Sequence, residues 1–94
     1  MKTITSKELN TLTGNTQQIG NFHVKNQVLI SYEHGTGFQS YNSLIAVKTG
    51  GKTYIGKDYC YSNTTGKYRN LFLNETLKET ETKINNGTYI MIQD

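Results

Sequence analysis

The apolar positions of the chain fall first into a period of two and later into a period of three to four. Ile19, Phe22 and Val24, followed across Lys25-Asn26-Gln27 by Val28, Ile30 and Tyr32, predict a β-hairpin. Leu44-Ile45-Ala46-Val47 runs into Gly50-Gly51 and returns through Thr53-Tyr54-Ile55, the pattern of a second hairpin with a tight turn. Between them Glu33 to Ser40 breaks the alternation with two glycines and reads as a loop. After Tyr59-Cys60-Tyr61, Ser62 can cap a helix that places Tyr68, Leu71 and Phe72 on one face. Thr76 and Glu79 form a Thr-x-x-Glu capping box for a further helix, with Leu77, Thr80 and Ile84 inward and a stop at Asn86-Gly87. Thr88 to Ile92 closes as a strand. A first Thr-x-x-Glu box, Thr5 to Glu8, predicts a short N-terminal helix ending at Gly14, with so few apolar residues that residues 1–16 can act as a mobile arm. The expected architecture is α+β: an antiparallel sheet of about five strands packed on one face by two helices, plus the short N-terminal helix, in a single domain over residues 1–94.

Length and composition narrow this further. A chain of 94 residues buries only about 60–65 % of the surface that its unfolded form exposes, so the core is modest. The lone Cys60 cannot close an internal disulfide, and no apolar run approaches the roughly 20 residues of a membrane-spanning helix. Both point to a cytoplasmic protein with no membrane partner. The net charge of +3 is too mild for a cationic nucleic-acid coat, but it is unevenly placed. Residues 43–70 carry Lys48, Lys52, Lys57, Lys67 and Arg69 against Asp58 alone, whereas Glu75, Glu79 and Glu81 mark the exposed side of a late, acidic helix.

Catalytic and metal chemistry find little footing. His23, His34 and Cys60 are far apart in sequence, with no Cys-x-x-Cys or His-x-x-His pair, so no metal and no cofactor is expected. An enzyme using Cys60 or a histidine ranks third among the readings. The segment that stands out is Tyr61 to Asn70. The hydroxyls of Ser62, Thr64 and Thr65 and free backbone N–H groups at a helix start, followed by Lys67, Arg69 and Asn70, make an end that welcomes an anion or a polar partner. Simple capping accounts for each of these residues singly; with Tyr61, Lys52 and Lys57 added, the group reads as a basic, tyrosine-rich binding face.

Ser40-Tyr41-Asn42-Ser43-Leu44-Ile45-Ala46-Val47, the return strand through Tyr54, and then Tyr61-Ser62-x-Thr64-Thr65-x-Lys67-Tyr68 resemble a family of small, mostly bacteriophage proteins of unassigned function. The likeness spans residues 40–73. In that family a histidine usually stands where this chain has Tyr68, which implies that any chemistry of that histidine does not carry over here. The resemblance implies a phage-type binding protein that engages or inhibits a host macromolecule, such as a nucleic-acid-processing or anti-CRISPR-like defence target. Direct nucleic-acid binding, with cations on phosphates and tyrosines stacked on bases, is the runner-up. The oligomeric state stays open.

Overall fold

Each helix starts at the residue whose side chain can cap it. Thr5 Oγ1 accepts from Glu8 N at 3.1 Å while the Glu8 carboxylate accepts from Thr5 N, and helix α1 (Ser6–Thr13) follows. Ser62 opens α2 (Asn63–Leu73), and the reciprocal pair Thr76 and Glu79 opens α3 (Leu77–Asn85). The computed structural model describes all 94 residues and adds seven strands: β1 (Lys2–Ile4), β2 (Thr16–Phe22), β3 (Val24–Tyr32), β4 (Gly35–Ser40), β5 (Ser43–Thr49), β6 (Lys52–Ile55) and β7 (Tyr89–Ile92).

These form one mixed sheet in the order β1-β7-β6-β5-β4-β3-β2. The chain is α+β, but the expected five-stranded antiparallel sheet is corrected to seven strands, of which β1, β7 and β6 run parallel. The physical reason lies in the connection. Helices α2 and α3 join β6 to β7, and a helical crossover of that length returns the chain in the same direction, as a hairpin cannot. The segment expected as a loop is the strand β4. Its Gly35 sits where a Cβ would come within 2.5 Å of the Lys48 carbonyl oxygen, so the glycine that reads as a turn signal is there to let β4 lie close against β5.

The two faces of the sheet bury different helices. Phe38, Ala46, Ile55 and Met91 lie in register across β4, β5, β6 and β7, and with Ile45 they pack under Tyr68, Phe72, Leu73 and Ile84 of α2 and α3. A register shift after Phe38 lets Ile45 join Ala46 on this side. The alternate row, Val47, Tyr54 and Ile90, packs under Leu9 of α1, which is buried. Helix α1 therefore covers the face opposite α2 and α3; the two later helices share one face, and residues 2–13 form β1 and α1, with Leu9 docked under Val47 and Tyr54. The first hairpin also turns earlier than expected. His23, at φ 72°, is the break between β2 and β3, and Lys25 to Gln27 already belong to β3.

Candidate functional site

The parallel arrangement of β1, β7 and β6 brings their carboxyl ends, Ile4, Ile92 and Ile55, to one end of the sheet, and a cleft of about 500 Å³ opens there. Its walls are Ser6, Asn42, Ser43, Leu44, Gly56, Lys57, Asp58, Ile92, Gln93 and Asp94. Gly56 sets its floor: its N–H donates to the Ile45 carbonyl at 2.8 Å, and a Cβ there would fall 1.9 Å from the Leu44 carbonyl oxygen. Beyond this close approach the chain carries Lys57 and Asp58 onto the wall of the cleft, with Asp58 beside Ser43 at the start of β5.

Two carboxylates shape the electrostatics. Asp94 accepts from Ser6 N at 2.7 Å and from Ser6 Oγ at 2.8 Å, bonds that hold its carboxyl below the usual range and occupy the N-terminus of α1. Asp58 accepts from Ser43 Oγ at 2.8 Å. At the rim, the rings of Tyr41 and Tyr61 meet at 6.2 Å between centroids and are 41 % and 67 % exposed. Tyr41 is held at φ 55°, a left-handed conformation that is uncommon for a bulky side chain. Its N–H donates to the Asn26 carbonyl at 2.7 Å, tying the β4–β5 turn to the start of β3. Beneath the rim lies a polar layer: Thr65 is fully buried with its Oγ1 2.8 Å from Ser40 Oγ, and Gln27, paired across the sheet with Ser40, has neither side-chain amide atom hydrogen-bonded.

The residues expected to form a binding face divide between this end and elsewhere. Tyr61, Thr64 and Lys67 are exposed, and Lys57 lines the cleft. Ser62 is the α2 cap, its Oγ accepting from Thr65 N at 3.1 Å, and Thr65 belongs to the buried layer. Arg69 is corrected most sharply. It is 2 % exposed, donates through one guanidinium nitrogen to the Tyr59 carbonyl and through the other to Asn70 Oδ1 at 2.9 Å, and leaves Nε unpaired. Burial lowers its pKa. Asn70 therefore orients Arg69, and neither serves the expected cationic surface. Lys52 stands beside the Gly50-Gly51 turn with His34 and Lys48, at the opposite end of β6 from Lys57. The basic middle third does not make one basic face.

His23, His34 and Cys60 are not brought together. His23 stacks on Tyr68 at 6.0 Å, His34 lies by the Gly50-Gly51 turn, and Cys60 is exposed beside Tyr61. Tyr59 next to it donates to Glu81 at 3.0 Å, and burial first, then that bond, pushes its hydroxyl up to about 12. Sequence reasoning gave no site role to Asp58 or Asp94, and it gave Tyr41 and Asn42 weight only as part of a motif. A tyrosine at the two-residue junction of two strands is itself a signal, since turns there favour Asn, Asp and Gly.

The family model of DUF8033 matches residues 2–87, from β1 to the end of α3. The chain belongs to that family. DUF8033 is a family of unknown function, and the match extends well beyond the central segment in which the phage-protein likeness was read. No curated protein and no solved structure matches the chain. No helix of this DUF8033 protein is long and apolar enough to cross a membrane.

Proposed function

We propose that this DUF8033 protein is a non-catalytic binding protein that engages a macromolecular partner through the cleft end of its sheet, with Tyr41 and Tyr61 as the anchors. The observation that carries the reading is the pair of exposed, mutually packed tyrosine rings, one of them on a left-handed backbone, at the rim of a polar cleft. Tyrosines supply a large share of hot-spot energy in protein interfaces because they bring apolar area and a polar tip at small entropic cost. Lys57 on the cleft wall and the exposed Lys67 of α2 add cations beside the carboxylates Asp58 and Asp94, and Asn42 and Thr64 offer hydrogen bonds. The resemblance to small phage proteins suggests a host nucleic-acid-processing or defence complex as the partner.

The distribution of cations favours a protein partner over naked nucleic acid. Phosphate recognition draws its affinity from several cations along one track. Here Arg69 is buried, Lys48 Nζ is committed to the Phe72 carbonyl at 2.7 Å, and Lys52 lies at the far end of the sheet. The test is capture from host lysate with and without nuclease, comparing the native chain with Tyr41→Ala and Tyr61→Ala. A nuclease-resistant partner is expected, and each substitution is expected to weaken it by at least about 2 kcal/mol, roughly 30-fold, with an unchanged circular dichroism spectrum. Submicromolar, salt-sensitive binding to DNA or RNA that survives both substitutions overturns the proposal.

A further inference from the structure

The sheet ends on one side in β2, and every residue of that strand from Thr16 to Asn21 is exposed, with Phe22 half-buried. An edge strand offers a row of unpaired backbone N–H and C=O groups, and folded proteins commonly blunt such edges with charge, proline or brevity. The opposite edge does so: β1 has three residues and carries Lys2. Strand β2 does not. It is Thr-Gln-Gln-Ile-Gly-Asn-Phe, without charge or proline, and Ile19 at its centre is 65 % exposed. Register shifts bend both of its ends and leave Gln18 to Asn21 in regular pairing with β3.

We propose that two copies of this chain pair through β2, antiparallel about a two-fold axis at Ile19. The strand complements itself. The axis sets Ile19 against its own copy, directly opposed at about 5 Å between Cβ atoms, and so removes the one large apolar side chain that the edge exposes. It opposes Gln18 to Gly20 and Gln17 to Asn21, and each amide carries both a donor and an acceptor, so it can satisfy a like group. Gly20 leaves open space for the side chain opposite, since a Cβ there would meet nothing within 4 Å. Charge agrees with the same orientation. Antiparallel pairing brings the hairpin tip, with Lys25, alongside the partner's opposite end, where the Glu33 carboxylate accepts from Asn15 N at 2.6 Å just before β2. Parallel pairing would set Lys25 by Lys25 and Glu33 by Glu33. One strand of this length buries less than a standard stable interface of about 1,200–2,000 Å², so the dimer is weak and depends on concentration.

Sedimentation velocity from about 1 μM to about 1 mM spans the affinities open to such an interface. The native chain is expected to pass from monomer to dimer in that range. Ile19→Lys is expected to remain monomeric at every concentration, while Leu71→Lys, which alters an exposed apolar residue of α2 away from this edge, dimerises as the native chain does. Lys25→Glu is expected to weaken the dimer several-fold at low salt, with the difference fading as ions screen it. A native chain that stays monomeric throughout overturns the proposal, as does a dimer that Ile19→Lys leaves intact. An unchanged circular dichroism spectrum of Ile19→Lys excludes unfolding as the cause of its monomeric state.

Discussion

Beneath α2 and α3 the molecule buries charge, and at the cleft end it exposes aromatic rings. Under the helices, the Arg69 guanidinium lies against the Tyr59 carbonyl, and the Glu75 side chain, 3 % exposed, accepts from Lys83 Nζ at 2.7 Å, from Tyr89 Oη at 2.7 Å and from Thr80 Oγ1. At the cleft end Tyr41 and Tyr61 keep much of their surface in solvent while their rings pack against each other. A charged group is tolerated inside when hydrogen bonds replace its hydration, and an aromatic ring left outside in a small domain is surface not used for the fold. The contrast separates residues that hold the structure from residues free to bind, and it cuts across residue type: of the neighbouring cations Lys67 and Arg69, only Lys67 belongs to the surface.

Removing Arg69 gives the largest effect expected on stability. Arg69→Ala leaves a cavity under α2 and strips the Tyr59 carbonyl of its donor, and the expected cost is about 2–4 kcal/mol. Arg69→Met keeps the apolar stem and recovers part of that loss. Urea denaturation of the three proteins checks the order native, then Met, then Ala; a loss under about 1 kcal/mol for alanine would show that the guanidinium is dispensable to the fold.

Glu75 yields a smaller, pH-dependent effect. Burial alone would raise its carboxyl, but the hydrogen bonds from Lys83, Thr80 and Tyr89 outweigh burial and hold it below the ordinary 4.5. The same contact, after burial, helps push the Tyr89 hydroxyl up to about 12. Because the folded-state value is depressed, the stabilisation is fully present above the unfolded value near 4.5 and is lost as pH falls through the folded value. Glu75→Gln is expected to cost about 1–3 kcal/mol at pH 7 and to flatten the acid limb of the stability curve. Melting curves between pH 2 and pH 7 check this, and parallel acid limbs for the native chain and the variant would contradict it.

The local parts of this architecture were legible, and the long-range parts were not. Both capping boxes, the Ser62 cap and the hairpin around Gly50-Gly51 form as read, because each is decided within a few residues. The pairing of Lys2 with Ile90 and the docking of Leu9 under Val47 and Tyr54 depend on segments distant in sequence. Arg69 lay within reach of sequence reasoning. Thr65, Tyr68, Arg69, Phe72 and Leu73 follow the i, i+3, i+4, i+7, i+8 stripe of a buried helical face, and all five are buried, while Leu71 points outward. Two expectations for α2 are corrected together: charge placed Arg69 on the surface, and the face drawn through Tyr68, Leu71 and Phe72 put Leu71 inward, whereas Leu71 is 52 % exposed and the buried stripe runs through Arg69. At the cleft end, Lys57 was among the residues singled out from sequence, whereas Asp94 and Ser6 join the cleft only because β1 and β7 lie side by side.

Lys67 gives the smallest effect and places the boundary between the two regions. Its ammonium lies 5.4 Å from the centroid of the Tyr68 ring, but the side chain is exposed and makes no ion pair within the chain. Lys67→Ala is therefore expected to change stability by no more than about 0.5 kcal/mol. Its exposed place in α2, one turn beyond the exposed Thr64, allows a long-range role in binding. A rim charge acts chiefly on the rate of encounter and on salt dependence, whereas an anchor acts on dissociation. With the captured partner in hand, stopped-flow association at low salt should be a few-fold slower for Lys67→Ala while dissociation is unchanged, and Tyr61→Ala should show the reverse pattern. If Lys67→Ala instead raised the dissociation rate roughly 30-fold, a full hot-spot loss, the centre of the interface would move from the tyrosine pair onto the body of α2.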